Sequence, residues 1–524
     1  MALDDSRINK LTSLIKDSFR VRPNHDPIYV DTGNHIGRLA SGQHQVVFGR
    51  RGSGKSCLLV HYHRARAKSD NVLSIYIDAD EVKTLPYPDL LIRLLLSIGE
   101  GLRKSTSSRL DRLLRRGSSK VGGELMVLRA LLDQADSAQV SDEIEARSSI
   151  SAKVNLGGGG SKVGGGVSEE ERARRTTQYT ASKVDTLERH LQDYKAVLAD
   201  AIASSEFHHA AIIVDDFYLI DQKWQPNVID YIHRLVRGTD LYVKLGTVRH
   251  RTALVRYVDG QTIGVELAQD VEEINLDQTF EDVDATRRYL AGMLDSMAVK
   301  AGLHNFCQTF FSEDGLLALT LASGGVPRDF LNIFVEAVDA ARDMKSARWL
   351  TPTAVYRGAG RVSYRTKLSN LRDDVGADAQ GLEKVFRDLT SFCLKEKKKT
   401  AFLVAQDDAA KYPHEHELIQ QLMDFKLIHV IEPDTSAASG RPGRHEAYTL
   451  DFALFMEPRL RGIEHAEFWK VDEQRRRRGL RESPVYSLAQ AHEVLAGGST
   501  DSTESVIDEI QAEAGVEQSR LDGF

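Results

Sequence analysis

The stretch FGRRGSGKS, Phe48 to Ser56, follows a short apolar run and precedes a helical pattern. It contains the full phosphate-binding loop pattern G-x-x-x-x-G-K-[ST]. Glycines let such a backbone wind tightly, so that its amide groups and the positive end of the following helix surround a phosphate. The candidate nucleotide-binding residues are the eight of the motif and the one after it: Gly49, Arg50, Arg51, Gly52, Ser53, Gly54, Lys55, Ser56 and Cys57.

The chemistry of such a loop assigns roles to four residues. Lys55 is expected to be an exposed loop residue that reaches the β and γ oxygens of ATP as a point charge, and the Ser56 hydroxyl is expected to ligate Mg²⁺. The second magnesium candidate is Asp215, which ends the apolar run AAIIV. Asp216 follows it and is placed to orient or deprotonate an attacking water. ATP and Mg²⁺ are therefore the expected cofactors.

Polar residues at two other places are further catalytic candidates. Thr247 and Arg249 end the run LYVKLGTVR, and ligands bind at the carboxyl ends of strands in open α/β sheets. Arg328 begins a helical pattern in GGVPRDF and is a candidate to fold over the nucleotide. Pro327, which suits the first turn of this helix, is a further candidate nucleotide-binding residue. The alternative for both arginines is an ordinary solvated position.

The hydrophobic pattern predicts the fold class. Five apolar runs alternate with helical segments, which implies a parallel sheet covered by helices on both faces, the α/β fold of a P-loop NTPase, within residues 1–280. The expected strands are Gln45–Gly49, Val72–Asp80, Ala210–Asp216, Leu241–Val248 and Val271–Leu276.

An unusually long interval separates the second expected strand from the third. We interpret about 103–204 as an insertion that lies outside the ATPase core, with helical stretches at Glu124–Ala135 and Ser182–Ala203. Its centre, 157–166, is mostly glycine, which is typical of a flexible linker. Alternating apolar residues just before it leave a glycine-rich hairpin or a segment that orders on binding as alternatives.

The rest of the chain divides into three expected parts. Residues 281–370 form an all-α lid, and residues 371–460 read as helix, helix and β-hairpin, the layout of a winged helix. Residues 461–524 are expected to contain a basic helix around Arg475–Arg478 and Arg481, followed by an acidic, disordered tail. These arginines are candidates to meet phosphate or to cap a helix.

The second helix of the expected winged helix is acidic, with Glu415, Glu417 and Asp424, which disfavours entry into a DNA groove. Basic residues at the hairpin tip, Arg441 and Arg444, keep double-stranded DNA contact open beside protein docking. The whole chain has 69 Lys plus Arg against 76 Asp plus Glu, a net charge of −7, so any contact with a polyanion must be local.

Composition also bears on where the protein works. The three cysteines are far apart and in no metal-ligand spacing, which argues against a disulfide framework and a zinc site. The N-terminus carries acids where a signal peptide needs positive charge, and no apolar run is long enough to cross a membrane. We expect a soluble, cytoplasmic protein.

The order of FGRRGSGKS, IIVDDF, LGTVR, SGGVPRDF and a winged helix resembles the origin-recognition type of AAA+ ATPase and its relatives, the STAND signalling ATPases. The pair Asp215–Asp216 and Arg249 are similar to the STAND pattern, and Arg328 to the lid arginine of the origin-recognition group. The branch stays open. The resemblance implies that ATP closes the lid onto the sheet domain and promotes assembly into a homo-oligomer or with a protein partner.

Two functions follow from this resemblance. One is an ATPase whose Mg-ATP state drives assembly or conformational switching, with the winged helix docking DNA or a partner. The other is a signalling or scaffold switch that binds ATP with little turnover and no DNA binding, for example in phage defence.

Overall fold

The computed structural model of the chain describes residues 3–21, 27–31, 33–66, 69, 71–110, 121–133, 169–312, 314–344, 349–361, 367, 369, 371, 379–438, 442–456, 462–471 and 477–497. Several sequence-based predictions fall outside these residues. They are the glycine-rich stretch 157–166, the tail after 497, Arg441 at the hairpin tip, and Arg475 and Arg476 of the basic cluster.

The first part of the chain contains a five-stranded parallel sheet, as predicted. Its strands run in the order β2-β3-β4-β1-β7, and the strands β5 and β6 form a separate hairpin. In chain order the seven are β1 Gln45–Phe48, β2 Val72–Asp78, β3 His209–Asp215, β4 Leu241–Thr247, β5 Val255–Val258, β6 Gln261–Gly264 and β7 Glu272–Asn275. Because Phe48 pairs with Thr247 and Asp78 with Asp215, the carboxyl ends of these strands meet at one edge.

Helices cover both faces of this sheet, which confirms the α/β prediction. Successive strand residues point to opposite faces, so Val46 and Ile212 belong to one core and Val47 and Ile213 to the other. The first face carries the helices Asp89–Leu110, 121–133, Glu169–Ala203 and Gln225–Val236, and the second carries His35–Leu39 and Lys55–His61.

Two helices of the expected insertion belong to the ATPase core, so the prediction that this region lies outside the core is wrong for them. Helices 121–133 and Glu169–Ala203 bury leucines at helical spacing against the sheet. A buried ion pair, Lys183 Nζ to Asp89 Oδ1 at 2.7 Å, joins the second of these helices to Asp89–Leu110. The buried leucines are Leu125, Leu128, Leu131, Leu187, Leu191 and Leu198.

Truncating one of these leucines is expected to destabilise the protein. Leu187→Ala removes a fully buried side chain and should lower the free energy of unfolding by about 2–5 kcal/mol, because a cavity remains in the core. Urea-induced unfolding measures this. Met126→Ala on the neighbouring helix is the matched control, since that side chain is 71% exposed. If the Leu187 and Met126 variants were equally stable, helix Glu169–Ala203 would not be part of the ATPase core.

The second part of the chain is all-helical, as predicted, and more helical than expected. To the three predicted helices the structure adds Phe306–Phe310 and Pro352–Arg361. The N-terminal helix Ser6–Ser18 buries Ile8, Leu11 and Ile15 in this helical core. The three predicted helices are Val283–Lys300, Gly315–Ala322 and Pro327–Asp343.

The third part is a winged helix. Its order is helix Ala379–Thr390, β8 (Ala401–Ala405), helices Gln406–Lys411 and Pro413–Asp424, then the hairpin of β9 (Ile428–Ser436) and β10 (Arg444–Leu450). Strand β10 lies between β8 and β9 and is antiparallel to both. The sequence reading missed β8 and the short helix after it, because both are brief.

The residues after 460 correct the expectation of a basic helix. Strand β11 (Val485–Tyr486) pairs with β8, and helix Leu488–Ala496 buries Leu488 against the winged helix. Arg477 forms an isolated bridge with Val471, and residues 478–482 lie in turns. Arg477 donates to the carbonyls of Phe280 and Ile431, and Arg481 to that of Ser436. These two arginines therefore hold chain segments together instead of facing a phosphate.

Candidate nucleotide-binding site

A cleft of about 590 Å³ opens where the P-loop meets the helical part. Its walls are the end of helix Ser6–Ser18 with the segment after it, the P-loop, and helices Val283–Lys300 and Pro327–Asp343. Nine of the predicted site residues line it: Arg51, Gly52, Gly54, Lys55, Ser56, Cys57, Asp216, Pro327 and Arg328.

Two P-loop glycines have backbone conformations that side chains disfavour. Gly52 has φ of +90° and Gly54 of +102°. A Cβ on Gly52 would also lie 2.8 Å from the Cβ of Arg328, which is closer than real carbon atoms approach. Both the sharp winding of the loop and the close approach of the helical part therefore require glycine at position 52.

Lys55 is buried, so the expectation of an exposed loop lysine is wrong. Only 5% of the residue is exposed, and its Nζ donates to the carbonyls of Gly49 at 2.7 Å and Arg50 at 3.3 Å. The lysine is buried because the loop wraps around it. Burial lowers the pKa of Lys55, and four carboxylates oppose this effect: Asp216, Asp215, Asp277 and Asp424.

Both oxygens of the Asp215 carboxylate are engaged. Oδ2 accepts a hydrogen bond from the Tyr76 hydroxyl at 2.7 Å, and Oδ1 accepts one from the amide of Asp216 at 2.9 Å. Asp216 has φ of +52°, and its side chain faces the cleft. Burial, with the nearby charge of Asp215, raises the pKa of Asp216 to about 6. Asp216 is thus a desolvated carboxyl poised at the cleft wall.

The donor set at this edge fits Mg²⁺ shared with a nucleotide. A hydroxyl, Ser56, and a carboxylate, Asp215, are hard oxygen donors of the kind that Mg²⁺ prefers, and Mg²⁺ takes its remaining ligands from water and phosphate. Within the described part of the chain, no group of three or more His, Cys, Asp or Glu side chains forms a metal cage. Among the described residues, the arrangement therefore fits a Mg²⁺ ion that takes most of its ligands from the nucleotide and water.

Thr247 and Arg249 are not brought to the cleft, which corrects their expected placement. The Thr247 side chain is fully buried and its hydroxyl lies 2.5 Å from that of Thr252. Arg249 pairs with Glu273 beside β7, and its guanidinium lies 4.2 Å from the ring centre of Phe48. Strand β1 lies between β4 and β7. Arg249 follows β4, and its side chain reaches across β1 to the Glu273 carboxylate on β7.

Sequence reasoning missed two residues that do lie near the phosphate loop. Tyr218 lines the cleft, and its hydroxyl accepts a hydrogen bond from Arg51 Nε at 3.2 Å. Arg251 lies 5.0 Å from the centre of the same ring, and Lys55 Nζ lies 6.0 Å from it. An aromatic residue three positions after Asp215 was the available signal.

Arg328 joins the helical part to the P-loop. Its amide donates to the Gly52 carbonyl at 3.2 Å. Its guanidinium donates at 3.2 Å to the carbonyl of Phe19, the residue that follows the N-terminal helix. Pro327 occupies the first turn of the helix, as predicted. Arg328 therefore lines the cleft, with its amide on the P-loop and its guanidinium on the segment that follows the N-terminal helix.

Arg50 faces away from the cleft, contrary to its expected place among the nucleotide-binding residues. Its guanidinium donates to the Gln278 carbonyl at 2.8 Å, the Gly324 carbonyl at 3.3 Å and His429 Nδ1 at 3.2 Å, and its amide donates to Asp277 Oδ1 at 2.8 Å. One P-loop side chain thus contacts the sheet edge, the helical part and the winged helix. Its partners lie hundreds of residues away, where no local motif points.

His429 extends this contact into the winged helix. Burial lowers the pKa of His429 to about 4, so the neutral ring accepts from Arg50 at Nδ1 and donates from Nε2 to Asp451 Oδ2 at 2.8 Å. Lys367 Nζ pairs with the same carboxylate at 2.6 Å. The chain of contacts from the phosphate loop therefore ends inside the core of the winged helix.

Asp424 brings a second winged-helix group to the same region. It ends helix Pro413–Asp424, is almost fully buried, and its Oδ2 has no hydrogen-bond partner among the described residues. Burial, and then the charge of Asp277, raises the pKa of Asp424 to about 7. The neighbouring Phe425 ring lies 6.0 Å from the guanidinium of Arg251. The winged helix thus places a carboxyl group close to the phosphate loop.

Comparison with solved structures finds matches over most of the chain. The Aeropyrum pernix Orc1 protein in complex with DNA matches at 12% identity and a TM-score of 0.32, covering 86% of this chain and 90% of that one. Drosophila ORC bound to DNA matches at 11% and 0.33, covering 84% and 89%. Cdc6p from Pyrobaculum aerophilum matches at 10% and 0.32, covering 95% and 98%.

All three matches have TM-scores below 0.5 and identities of 10–12%. No protein-family model matches the chain, and no curated protein matches its sequence. Among the helices that the structure describes, none combines the length and the apolar character needed to span a membrane.

Proposed function

We propose that the chain is an ATPase of the AAA+ type that binds Mg-ATP in the cleft beside Lys55. The observation that carries this proposal is the convergence on one cleft of Lys55, Ser56, Asp216 and Arg328. These are the residue types that hold and cleave a terminal phosphate. The strand order supports the proposal, because it brings the ends of β1 and β3 to one edge of a parallel sheet.

Each residue has a role in this proposal. Lys55 turns its ammonium from the loop carbonyls to the phosphate oxygens, and Arg328 adds a second cation from the helical part. Ser56 and Asp215 hold Mg²⁺, which when bound neutralises phosphate charge. Asp216 accepts the proton of the attacking water from the cleft wall.

We further propose that nucleotide state controls the position of the winged helix. Arg50 links the phosphate loop to His429, and Asp424 is among the carboxylates that act on Lys55. One oxygen of the buried Asp424 carboxylate has no hydrogen-bond partner among the described residues. A γ-phosphate bound at the loop would add negative charge near this carboxylate. In its ionised form, above its pKa of about 7, Asp424 is repelled by the added phosphate charge, so ATP would favour withdrawal of helix Pro413–Asp424 more than ADP does. Assembly with a second copy or a partner would follow that withdrawal.

The second candidate function is a switch that turns over slowly and does not bind DNA. Helix Pro413–Asp424 favours it, because both of its ends are covered in this arrangement. Near its start Glu415 pairs with His492 at 2.7 Å, and near its end Phe425 packs by Arg251. The Orc1 and ORC structures contain DNA. DNA binding through this helix would require its ends to be uncovered, whereas Arg444 of the hairpin is already exposed.

A steady-state ATPase assay with and without duplex DNA separates these functions. The ATPase proposal expects turnover that requires Mg²⁺, and a DNA-coupled role expects the rate or the affinity to change when DNA is added. Nucleotide binding without measurable turnover, unchanged by DNA, would favour the slow switch. Absence of nucleotide binding would reject both.

Asp216→Asn is expected to leave ATP binding nearly intact and to reduce turnover by at least about 100-fold, because the amide cannot accept a proton. Asp215 keeps its place as magnesium ligand in this variant. Asp221→Asn is the matched control, since that carboxylate lies five residues later and its side chain is 53% exposed. Unchanged turnover in the Asp216 variant would move the catalytic base elsewhere.

A further inference from the structure

Tyr76 makes a hydrogen bond that none of the roles above uses. It lies on β2, two residues before the strand ends, and its half-buried side chain packs beside the His63 ring with centres 5.7 Å apart. The hydroxyl donates to Asp215 Oδ2 at 2.7 Å. Asp215 is the carboxylate that the proposed function assigns to magnesium.

The Asp215 carboxylate is also held from two other directions. Its Oδ1 accepts from the Asp216 amide at 2.9 Å. Across the sheet, a Cβ on Gly246 would lie 2.6 Å from the same oxygen, so only glycine leaves room for it. Tyr76 is thus the one side-chain hydrogen-bond donor that the described residues give to this carboxylate, and it acts on the oxygen that the backbone leaves available.

We propose that Tyr76 is a positioning residue that makes the site selective for Mg²⁺ over Ca²⁺. By occupying Oδ2, the hydroxyl holds the carboxylate in one orientation and disfavours coordination of a cation by both oxygens. Mg²⁺ needs only one or two carboxylate contacts in a strict octahedral shell, whereas Ca²⁺ accepts more oxygens and commonly takes carboxylates through both. This inference rests on the proposed nucleotide function of the same site.

The test is a cation titration of the full chain with a fluorescent ATP analogue, with Mg²⁺ and Ca²⁺ added separately to protein freed of metal by EDTA. Tyr76→Phe removes only the hydroxyl. We expect the half-saturating Mg²⁺ concentration to rise about tenfold, the lower end of what loss of a partner to a metal ligand costs. We expect the Ca²⁺ value to change by about twofold or less, because Oδ2 becomes available to the larger ion.

The matched control is Tyr257→Phe. Tyr257 lies on the β5–β6 hairpin, is 69% exposed, and donates a hydrogen bond from its hydroxyl to Glu266. This variant should titrate like the wild type with both cations, and analogue binding without metal should be the same in all three proteins. Coincident Tyr76→Phe and wild-type curves would overturn the inference, and so would equal shifts for both cations. If wild-type protein binds the analogue but ignores both cations, the magnesium role fails; if it binds no analogue, the proposed function fails too.

Discussion

Lys55→Ala is expected to weaken ATP binding at least about 100-fold, because it removes the cation that contacts the terminal phosphates and leaves the acidic groups around it unopposed. In the structure, carboxylates of Asp216 and Asp215 act on this ammonium. Without it they would repel the incoming phosphates. Isothermal titration calorimetry of ATP into wild-type and variant protein measures the difference.

The same substitution is expected to leave the protein folded. Among the described residues, the hydrogen bonds of the Lys55 ammonium go only to carbonyls of its own loop, Gly49 and Arg50, so its removal breaks no hydrogen bond between distant segments. Thermal unfolding should therefore change little. Lys223→Ala is the control for loss of a charge, since that side chain is 63% exposed. Equal ATP affinity in Lys55→Ala and wild type would refute the assignment of the P-loop.

Arg50→Ala is expected to lower the free energy of unfolding by about 3–5 kcal/mol, because it removes one member of a buried ion pair and leaves the other without its partner. The change leaves the Asp277 carboxylate and His429 without the guanidinium that now lies between them. Urea-induced unfolding measures the loss. Its physical reason is desolvation, since water does not replace the hydrogen bonds made by Arg50 at a position this deeply buried.

Arg51→Ala is the matched control, because Arg51 is the next residue of the loop and is exposed. It should change the free energy of unfolding by about 0.5 kcal/mol or less. If Arg50→Ala were as stable as Arg51→Ala, the contact between phosphate loop and winged helix would not hold these parts together. The proposed control of the winged helix by nucleotide would then lose its physical link.

The sheet and the P-loop could be predicted because their signals are local. Apolar runs alternate with helical segments, and the run Ala210–Val214 is followed by Asp215, where the observed strand ends. The insertion helices carried an equally local signal, leucines at helical spacing. It was outweighed by the glycine-rich centre, which says nothing about whether the flanking helices pack on the sheet.

The directions of arginine side chains could not be predicted. Arg249 and Arg251 are two residues apart, and only the position of Glu273 on β7 decides that Arg249 turns away from the cleft. Arg50 occupies a position where the motif accepts any residue, and its partner His429 belongs to another part of the chain. Such contacts depend on how distant segments pack, which periodicity and spacing do not encode.

Hydrogen–deuterium exchange with and without Mg-ATP tests most directly whether the nucleotide occupies this cleft. The account predicts slower exchange of backbone amides in 49–57, which would surround the phosphates, and in 215–218 at the end of β3. The exposed hairpin 255–264 should exchange at the same rate in both samples and serves as the internal reference. Unchanged exchange in 49–57 at saturating Mg-ATP, or protection confined to other segments, would contradict the account.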